Sequence, residues 1–145
     1  GGAGGFPVGV TVWRKELGDF PVQGHGSTYG ANPLACALGE ATWGLLHRHD
    51  LFRWAEDRGR AFREALARVD APGRGEVRGR GLLVGVEIEG ESGAVVRELQ
   101  RRGVLALPAG PRVVRFLPPF GASPESFLRA ATALEEALRE LSRGS

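Results

Sequence analysis

A glycine-rich polar loop that leads directly into a helix start constrains this chain more than any other feature. Residues 24–33 read Gly-His-Gly-Ser-Thr-Tyr-Gly-Ala-Asn-Pro, and their glycines allow close approach of the backbone. Asn32 is a preferred N-cap and Pro33 is favoured at the first helical position. The pattern predicts an apolar helix over 34–46. The hydroxyls of Ser27 and Thr28, a few residues before the cap, are compatible with an anion site, although a plain Ser/Thr turn is the commoner structure.

Composition limits the classes of protein to which the chain can belong. Its 145 residues are 42% hydrophobic and 25% charged, which is typical of a folded protein. A net charge of only +2 argues against a dedicated nucleic-acid binder. One cysteine and three dispersed histidines form neither a disulfide framework nor a metal site. No apolar run approaches the ~20 residues that span a bilayer, and no leader is visible, so we expect a cytoplasmic protein without a membrane partner.

The order of predicted elements separates the chain into two parts. Residues 1–48 hold one strand and one helix, too few to close a core, and are interpreted as the end of a larger domain. Residues 49–145 form a small α+β layer, with Asp50 as a predicted helix cap. In chain order we predict a strand at 8–13, helices at 34–46 and 51–69, a strand at 82–89, a helix at 92–102, strands at 104–107 and 112–117, and a helix at 123–141.

Several segments together resemble the class III pyridoxal-phosphate-dependent aminotransferases. Residues 25–37 are similar to a signature of that family, and residues 4–7 resemble the glycine stretch that follows its Schiff-base lysine. Residues 78–85 resemble the entry strand of its small domain, and residues 108–111 and 114–119 resemble its C-terminal block. The resemblance covers essentially the whole chain in one register. The most similar branch contains acetylornithine aminotransferases and the relatives that act on carrier-bound lysine semialdehyde.

The resemblance implies an α/β fold, that of fold type I PLP-dependent transferases, with the end of the large domain followed by the C-terminal α+β small domain. It implies a cytoplasmic transaminase of arginine or lysine biosynthesis that uses pyridoxal 5'-phosphate. Such an enzyme moves an amino group between an acetylornithine-type or carrier-bound-lysine-type substrate and 2-oxoglutarate or glutamate. The expected partners are these small molecules, a second identical subunit and an amino-group carrier protein.

Residue roles follow from the same resemblance. Thr28 is expected to bind the cofactor phosphate of the neighbouring subunit, and Ser27 to contact the amino-acid substrate. Arg115 is expected to bind a substrate carboxylate, for which the forked guanidinium is well suited. No catalytic residue is assigned, because the Schiff-base lysine would precede Gly1. We interpret His25 as a residue that orders the loop, and Cys36 as a buried bystander.

The family pattern is not matched at two positions, and the missing Schiff-base lysine leaves an alternative open. Ala3 and Ala31 stand where glycine is common, so each adds a Cβ near the expected cofactor. Lys15 is the only lysine and lies in a polar Arg-Lys-Glu run, which indicates a solvated side chain. Taken literally, the chain could therefore be a non-catalytic remnant, a small domain that binds an anion or a protein partner.

Overall fold

In a computed structural model, which describes residues 5–21 and 24–143, the chain divides after Leu51 into two units. The first unit contains a 3₁₀ turn at Lys15–Leu17 and helix α1 at Pro33–Arg48. The second unit starts from Phe52, and its first helix begins one residue earlier. Its elements are α2 (Leu51–Ala67), β1 (Arg74–Arg80), β2 (Leu83–Ile88), α3 (Ser92–Arg101), β3 (Leu107–Pro108), β4 (Val113–Phe116) and α4 (Pro124–Arg143).

The strand predicted at 8–13 is wrong. These residues have no regular secondary structure, and the side chains of Val10 and Val12 are 81% and 86% exposed. A strand requires a neighbour that accepts and donates its backbone hydrogen bonds, and no described residue forms a ladder with this segment. The β-branched composition therefore indicates a preference for a strand, but a strand does not form here because no described residue pairs with the segment.

The second unit is built on a four-stranded antiparallel sheet with strand order β1-β2-β4-β3. Every second residue of β2 and β4 is buried, and α2, α3 and α4 contribute the other side of the same core. The sheet therefore has one inner face against helices and one outer face. The fully buried large side chains are Phe62, Leu66, Val84, Val86, Ile88, Val95, Leu99, Val114 and Leu134.

The predicted helices of the second unit are confirmed to within two residues at each end, but two strands differ from expectation. β1 was not predicted as a strand of its own, because Val77 is its single apolar residue. The strand expected at 104–107 is reduced to Leu107–Pro108. Gly103, at φ 75°, ends α3 and turns the Val104 N–H back to the Leu99 carbonyl at 2.9 Å. In this Schellman-type helix ending the N–H of Val104 is bonded to α3, so that it is not available to a strand beginning at residue 104.

Asp50 is not the N-cap that we expected. An N-cap residue has extended backbone, whereas Asp50 has φ 47° in the link between α1 and α2. Asp tolerates the left-handed region better than most residues, so its role here is to turn the chain.

Helix α2 lies very close to the turn between β1 and β2. A Cβ built on Gly59 of α2 would lie 1.8 Å from the carbonyl oxygen of Gly81. The same residue is held by two side chains of α2: Arg63 donates to the Gly81 carbonyl at 3.2 Å, and Glu56 accepts from the Gly81 N–H at 3.2 Å. Glycine at 59 is thus required by the packing of the hairpin turn.

Candidate functional site

The polar loop before α1 folds into a turn over Thr28–Ala31 that brings its two hydroxyl residues to the surface. The N–H of Gly30 donates to the Ser27 carbonyl at 3.3 Å, and a Cβ on Gly30 would lie 3.0 Å from the Cβ of Ser27. Ala31 follows at φ 53°, a left-handed conformation that glycine adopts more readily. The left-handed backbone at position 31 therefore explains locally why the family resemblance leads us to expect glycine there.

Asn32 caps helix α1, as predicted. Its side-chain oxygen accepts from the Ala35 N–H at 2.9 Å, and its carbonyl accepts from the Cys36 N–H at 3.0 Å. Pro33 has no N–H to offer. Of the first four helical residues, only Leu34 keeps an N–H that these contacts do not use. An anion bound here would consequently depend on the loop hydroxyls and loop N–H groups more than on the helix end.

The hydroxyls of Ser27 and Thr28 are both exposed, and neither donates to or accepts from another described residue. Ser27 also lines a cavity of about 790 Å³ in the first unit, together with Asn32 and Cys36. Thr28 is not part of that lining. Two neutral, exposed hydroxyls on a glycine-rich turn are donors that suit a phosphate. The residues present therefore fit a phosphate-bearing cofactor.

Arg115 lies on β4, in the second unit, where its side chain projects from the outer face of the sheet. Its neighbours along the strand, Val114 and Phe116, are buried on the inner face. The Arg115 Nε is buried and has no hydrogen-bond partner among the residues that the structure describes. Leaving such a donor unsatisfied costs about 1–3 kcal/mol. A bound carboxylate that accepts from this guanidinium would remove that cost.

The surroundings of Arg115 strengthen this interpretation. Leu107 lies directly across from it on β3, and Leu117 follows two residues later on the chain. Both leucine side chains are more than half exposed. Apolar neighbours strengthen a guanidinium–carboxylate hydrogen bond to the extent that they exclude water from it.

Ion pairs on α3 and α4 fix the helical layer behind the sheet. The Glu98 carboxylate accepts from both Arg101 and Arg102, and Arg102 also pairs with Glu136 of α4 at 3.3 Å. The side chain of Glu98 is only 11% exposed. Its hydrogen bond with Arg102 lowers the pKa of Glu98 against the opposing effect of burial, and Glu98 likewise raises the pKa of Arg102.

Other residues singled out in the sequence have simpler surroundings. Lys15 is exposed in its 3₁₀ turn, as expected. Cys36 is exposed on α1, so its interpretation as a buried bystander is wrong. The His25 ring lies 5.6 Å from that of Phe20. Within the described residues no group of histidine, cysteine and carboxylate side chains could hold a metal ion, and no helix is long and apolar enough to cross a membrane.

The structure thus places Ser27 and Thr28 side by side in the first unit and Arg115 in the second. Their roles stay predictions. Sequence reasoning did not single out the cross-strand neighbours of Arg115, Gly85 and Leu107, because the register of a sheet is not visible in one sequence. The signal that could have found them is the alternation in β2 and β4, which pairs outward-facing positions once the strands are aligned.

Comparison with known proteins gives a consistent result over most of the chain. Residues 1–138 match the family described as aminotransferase class-III. The chain is 38% identical to the acetylornithine aminotransferase of Bacillus subtilis over 136 residues, which cover 92% of this chain and 35% of that protein. It is 37% identical to the [LysW]-aminoadipate semialdehyde transaminase of Deinococcus radiodurans over 141 residues, covering 96% of this chain and 33% of the relative. The chain therefore spans about a third of the length of the curated relatives it matches.

Solved structures agree with the sequence matches. The ornithine aminotransferase of Toxoplasma gondii, described with partial occupancy of PLP at its active site, aligns with a TM-score of 0.72 and 35% identity over 83% of this chain and 30% of its own. The acetylornithine aminotransferase of Elizabethkingia anophelis aligns with a TM-score of 0.71 and 31% identity, over 80% of this chain and 32% of its own. The expected fold is confirmed, and so is the family resemblance.

Proposed function

The chain belongs to the class-III aminotransferase family, and we propose that it supplies the phosphate loop and the substrate-facing small domain of a transaminase. Enzymes of this family depend on pyridoxal 5'-phosphate. The proposed substrates are an amino acid of the acetylornithine or carrier-bound-lysine type and the pair 2-oxoglutarate and glutamate, in arginine or lysine biosynthesis. The observation that carries the proposal is the buried, unpartnered Nε of Arg115 on the outer face of the sheet.

Each of the three named side chains has one task. The hydroxyl of Thr28 donates to the phosphate of the cofactor, and that of Ser27 contacts the amino-acid substrate. Arg115 holds a substrate carboxylate with two parallel N–H donors, which fixes its orientation. When bound, the cofactor withdraws electrons from the reacting carbon of the substrate. The role of the residues named here is to bind and orient, because the single lysine, Lys15, lies exposed in its 3₁₀ turn.

Two variants of the full-length protein test these assignments by opposite effects. A charge-assisted hydrogen bond contributes about 1.5–3 kcal/mol, so Thr28→Ala should weaken cofactor binding about tenfold to a hundredfold. Arg115→Ala should leave the dissociation constant of the cofactor near normal and raise KM for the carboxylate substrate by a similar factor. Equilibrium dialysis of the cofactor and steady-state kinetics at saturating cofactor measure the two effects separately. Equal effects of both variants on both quantities would refute the assignment of separate roles.

The proposal extends to a homodimer in which Thr28 serves the neighbouring active site. A mixed dimer tests this, with Thr28→Ala and loss of the cofactor-binding lysine as its two lesions. If Thr28 acts across the interface, both lesions on one subunit should damage the single surviving site. Splitting the lesions between subunits should spare it. The reverse pattern would show that Thr28 serves its own subunit.

A further inference from the structure

We propose that Gly85 determines which carboxylates reach Arg115, because its missing side chain keeps open the space beside that guanidinium. This inference rests on the proposed function, since it requires Arg115 to contact a substrate carboxylate. Gly85 itself has no functional group, so its role is to set specificity and access.

The register of the sheet brings the two residues together. Gly85 of β2 lies directly opposite Arg115 of β4, and on its other side it lies opposite Arg78 of β1. Residues that are opposite each other on neighbouring strands project from the same face of a sheet. Gly85 therefore occupies the outer face between two arginines.

The two arginines beside Gly85 differ in their partners. Arg78 pairs with Glu76 at 3.2 Å and with Glu87 at 3.5 Å, so carboxylates of the chain already engage its guanidinium. The Nε of Arg115 has no such partner among the described residues. Of the two guanidinium groups beside Gly85, that of Arg115 therefore holds the donor that a carboxylate would satisfy.

The fold itself does not require glycine at position 85. A Cβ built there would meet only Val113 Cγ1 at 3.2 Å and the Arg78 carbonyl at 3.9 Å, so Val113 would have to move by a few tenths of an ångström. Its backbone does not lie in the left-handed region. By contrast, a Cβ on Gly79 would lie 2.1 Å from the carbonyl oxygen of Leu83. Contact with backbone atoms explains glycine at 79, whereas at 85 the single close contact is with a side-chain methyl group that can move.

A side chain at position 85 would stand beside Arg115 on the β2 side and would narrow the space there. Cβ atoms of directly opposed residues lie about 4.5–5.5 Å apart, so a new side chain would stand beside the stem of Arg115. Leu107 already occupies the opposite position on β3. The larger the side chain introduced at position 85, the more strongly it should hinder the binding of carboxylates to Arg115.

The test uses the full-length protein with its cofactor bound. One extra methyl or methylene group in a binding site changes discrimination about tenfold to two-hundredfold, so we expect Gly85→Ala to raise KM for glutamate and 2-oxoglutarate about tenfold, and Gly85→Val more. kcat should change little. The dissociation constant of glutarate, a dicarboxylate without a reacting group, should rise in parallel when measured by calorimetry.

Gly75→Ala is the matched control, because a Cβ there would also meet a neighbour, Glu87, at 3.1 Å on the same sheet. It should leave KM and glutarate binding unchanged. If Gly75→Ala raises KM as much as Gly85→Ala does, strain in the sheet explains the effect and the inference is overturned. If Gly85→Val unfolds the protein, the comparison of Gly85→Ala with Gly75→Ala still decides.

Arg115→Ala separates this inference from the function on which it rests. If it raises KM while both Gly85 variants leave KM and glutarate binding unchanged, the inference fails and the proposed function stands. If it leaves KM unchanged as well, the carboxylate role of Arg115 fails and the inference fails with it.

Discussion

The two units of this chain differ in how far their apolar side chains are buried. In the second unit, apolar side chains from the sheet and three helices form one continuous core. In the described part of the first unit, Ala35 is the single buried residue, while Val12, Tyr29 and Trp43 are 86%, 84% and 59% exposed. Exposed apolar surface of this extent is typical of segments that contact another part of a protein or another subunit.

The residues of the two proposed sites are therefore held in place by different kinds of interaction. Arg115 stands on a central strand whose conformation is fixed by hydrogen bonds to both neighbours and by a core beneath it. Thr28 stands on a turn that is held by local contacts and by the cap of one helix. We therefore expect substitutions to act through tertiary packing in the second unit and through local conformation in the first.

The largest test of this contrast compares one phenylalanine from each unit. Phe62 is 1% exposed and stacks on Phe127 at 4.8 Å between ring centroids, whereas Phe20 is 58% exposed. Phe62→Ala should lower the free energy of unfolding by about 3–5 kcal/mol, because it leaves a cavity in the core. Phe20→Ala should cost about 1 kcal/mol, the value of its contacts with neighbouring rings. Urea unfolding followed by circular dichroism measures both, and equal losses would contradict the contrast.

A second test uses one glycine from a helix of each unit and expects opposite signs. Gly59→Ala should destabilise the protein by about 1–3 kcal/mol, since the new Cβ collides with the Gly81 carbonyl. Gly44→Ala should stabilise α1 by about 0.5–1 kcal/mol, because a Cβ there meets nothing closer than Arg48 at 3.9 Å and alanine favours helix. Thermal unfolding of the two variants gives the signs. A stable Gly59→Ala variant would show that α2 can move away from the hairpin turn.

The same contrast explains which features could be predicted from the sequence. Asn32 and Pro33 specify the start of α1 by themselves, and the apolar stripes of α2, α3 and α4 specify their inner faces. β1 could not be predicted, because its pairing with β2 stabilises a strand with one apolar residue. At 8–13 the opposite error occurred, since a β-branched composition forms no strand without a ladder partner. The position of Gly85 opposite Arg115 depends on register, which a single sequence does not show.

A third test concerns acid, and it sharpens the role of the ion pairs in the second unit. The hydrogen bond from Arg102 holds the pKa of Glu98 below its usual value, about 4.3. A carboxyl whose pKa is lowered by folding contributes stability above its unfolded pKa, and this contribution disappears as the pH falls through the folded value. The wild-type protein should therefore lose stability below about pH 4.3.

Glu98→Gln identifies the source of that loss. The variant should be less stable at pH 7 and should lose less stability than the wild type on acidification, because the titrating group is gone. Melting temperatures measured from pH 7 to pH 3 test this. Parallel curves for the two proteins would show that other carboxylates cause the acid sensitivity.

The smallest effect is expected at Ala31, where the first unit carries a local strain that no packing compensates. Ala31 has φ 53°, and a residue with a Cβ pays about 1–2 kcal/mol for that region relative to glycine. Ala31→Gly removes this cost but increases the entropy of the unfolded chain, so a net stabilisation of about 0.5–1 kcal/mol remains. Because Ala31 is followed by the cap of α1, the gain should appear as slower hydrogen exchange at the Ala35 and Cys36 amides.

Ala41→Gly, at an exposed position within the same helix, is the matched control and should speed exchange by a similar free energy. If both glycine variants speed exchange, the left-handed turn is not strained by alanine, and the family's glycine at that position reflects space for the cofactor and not backbone conformation.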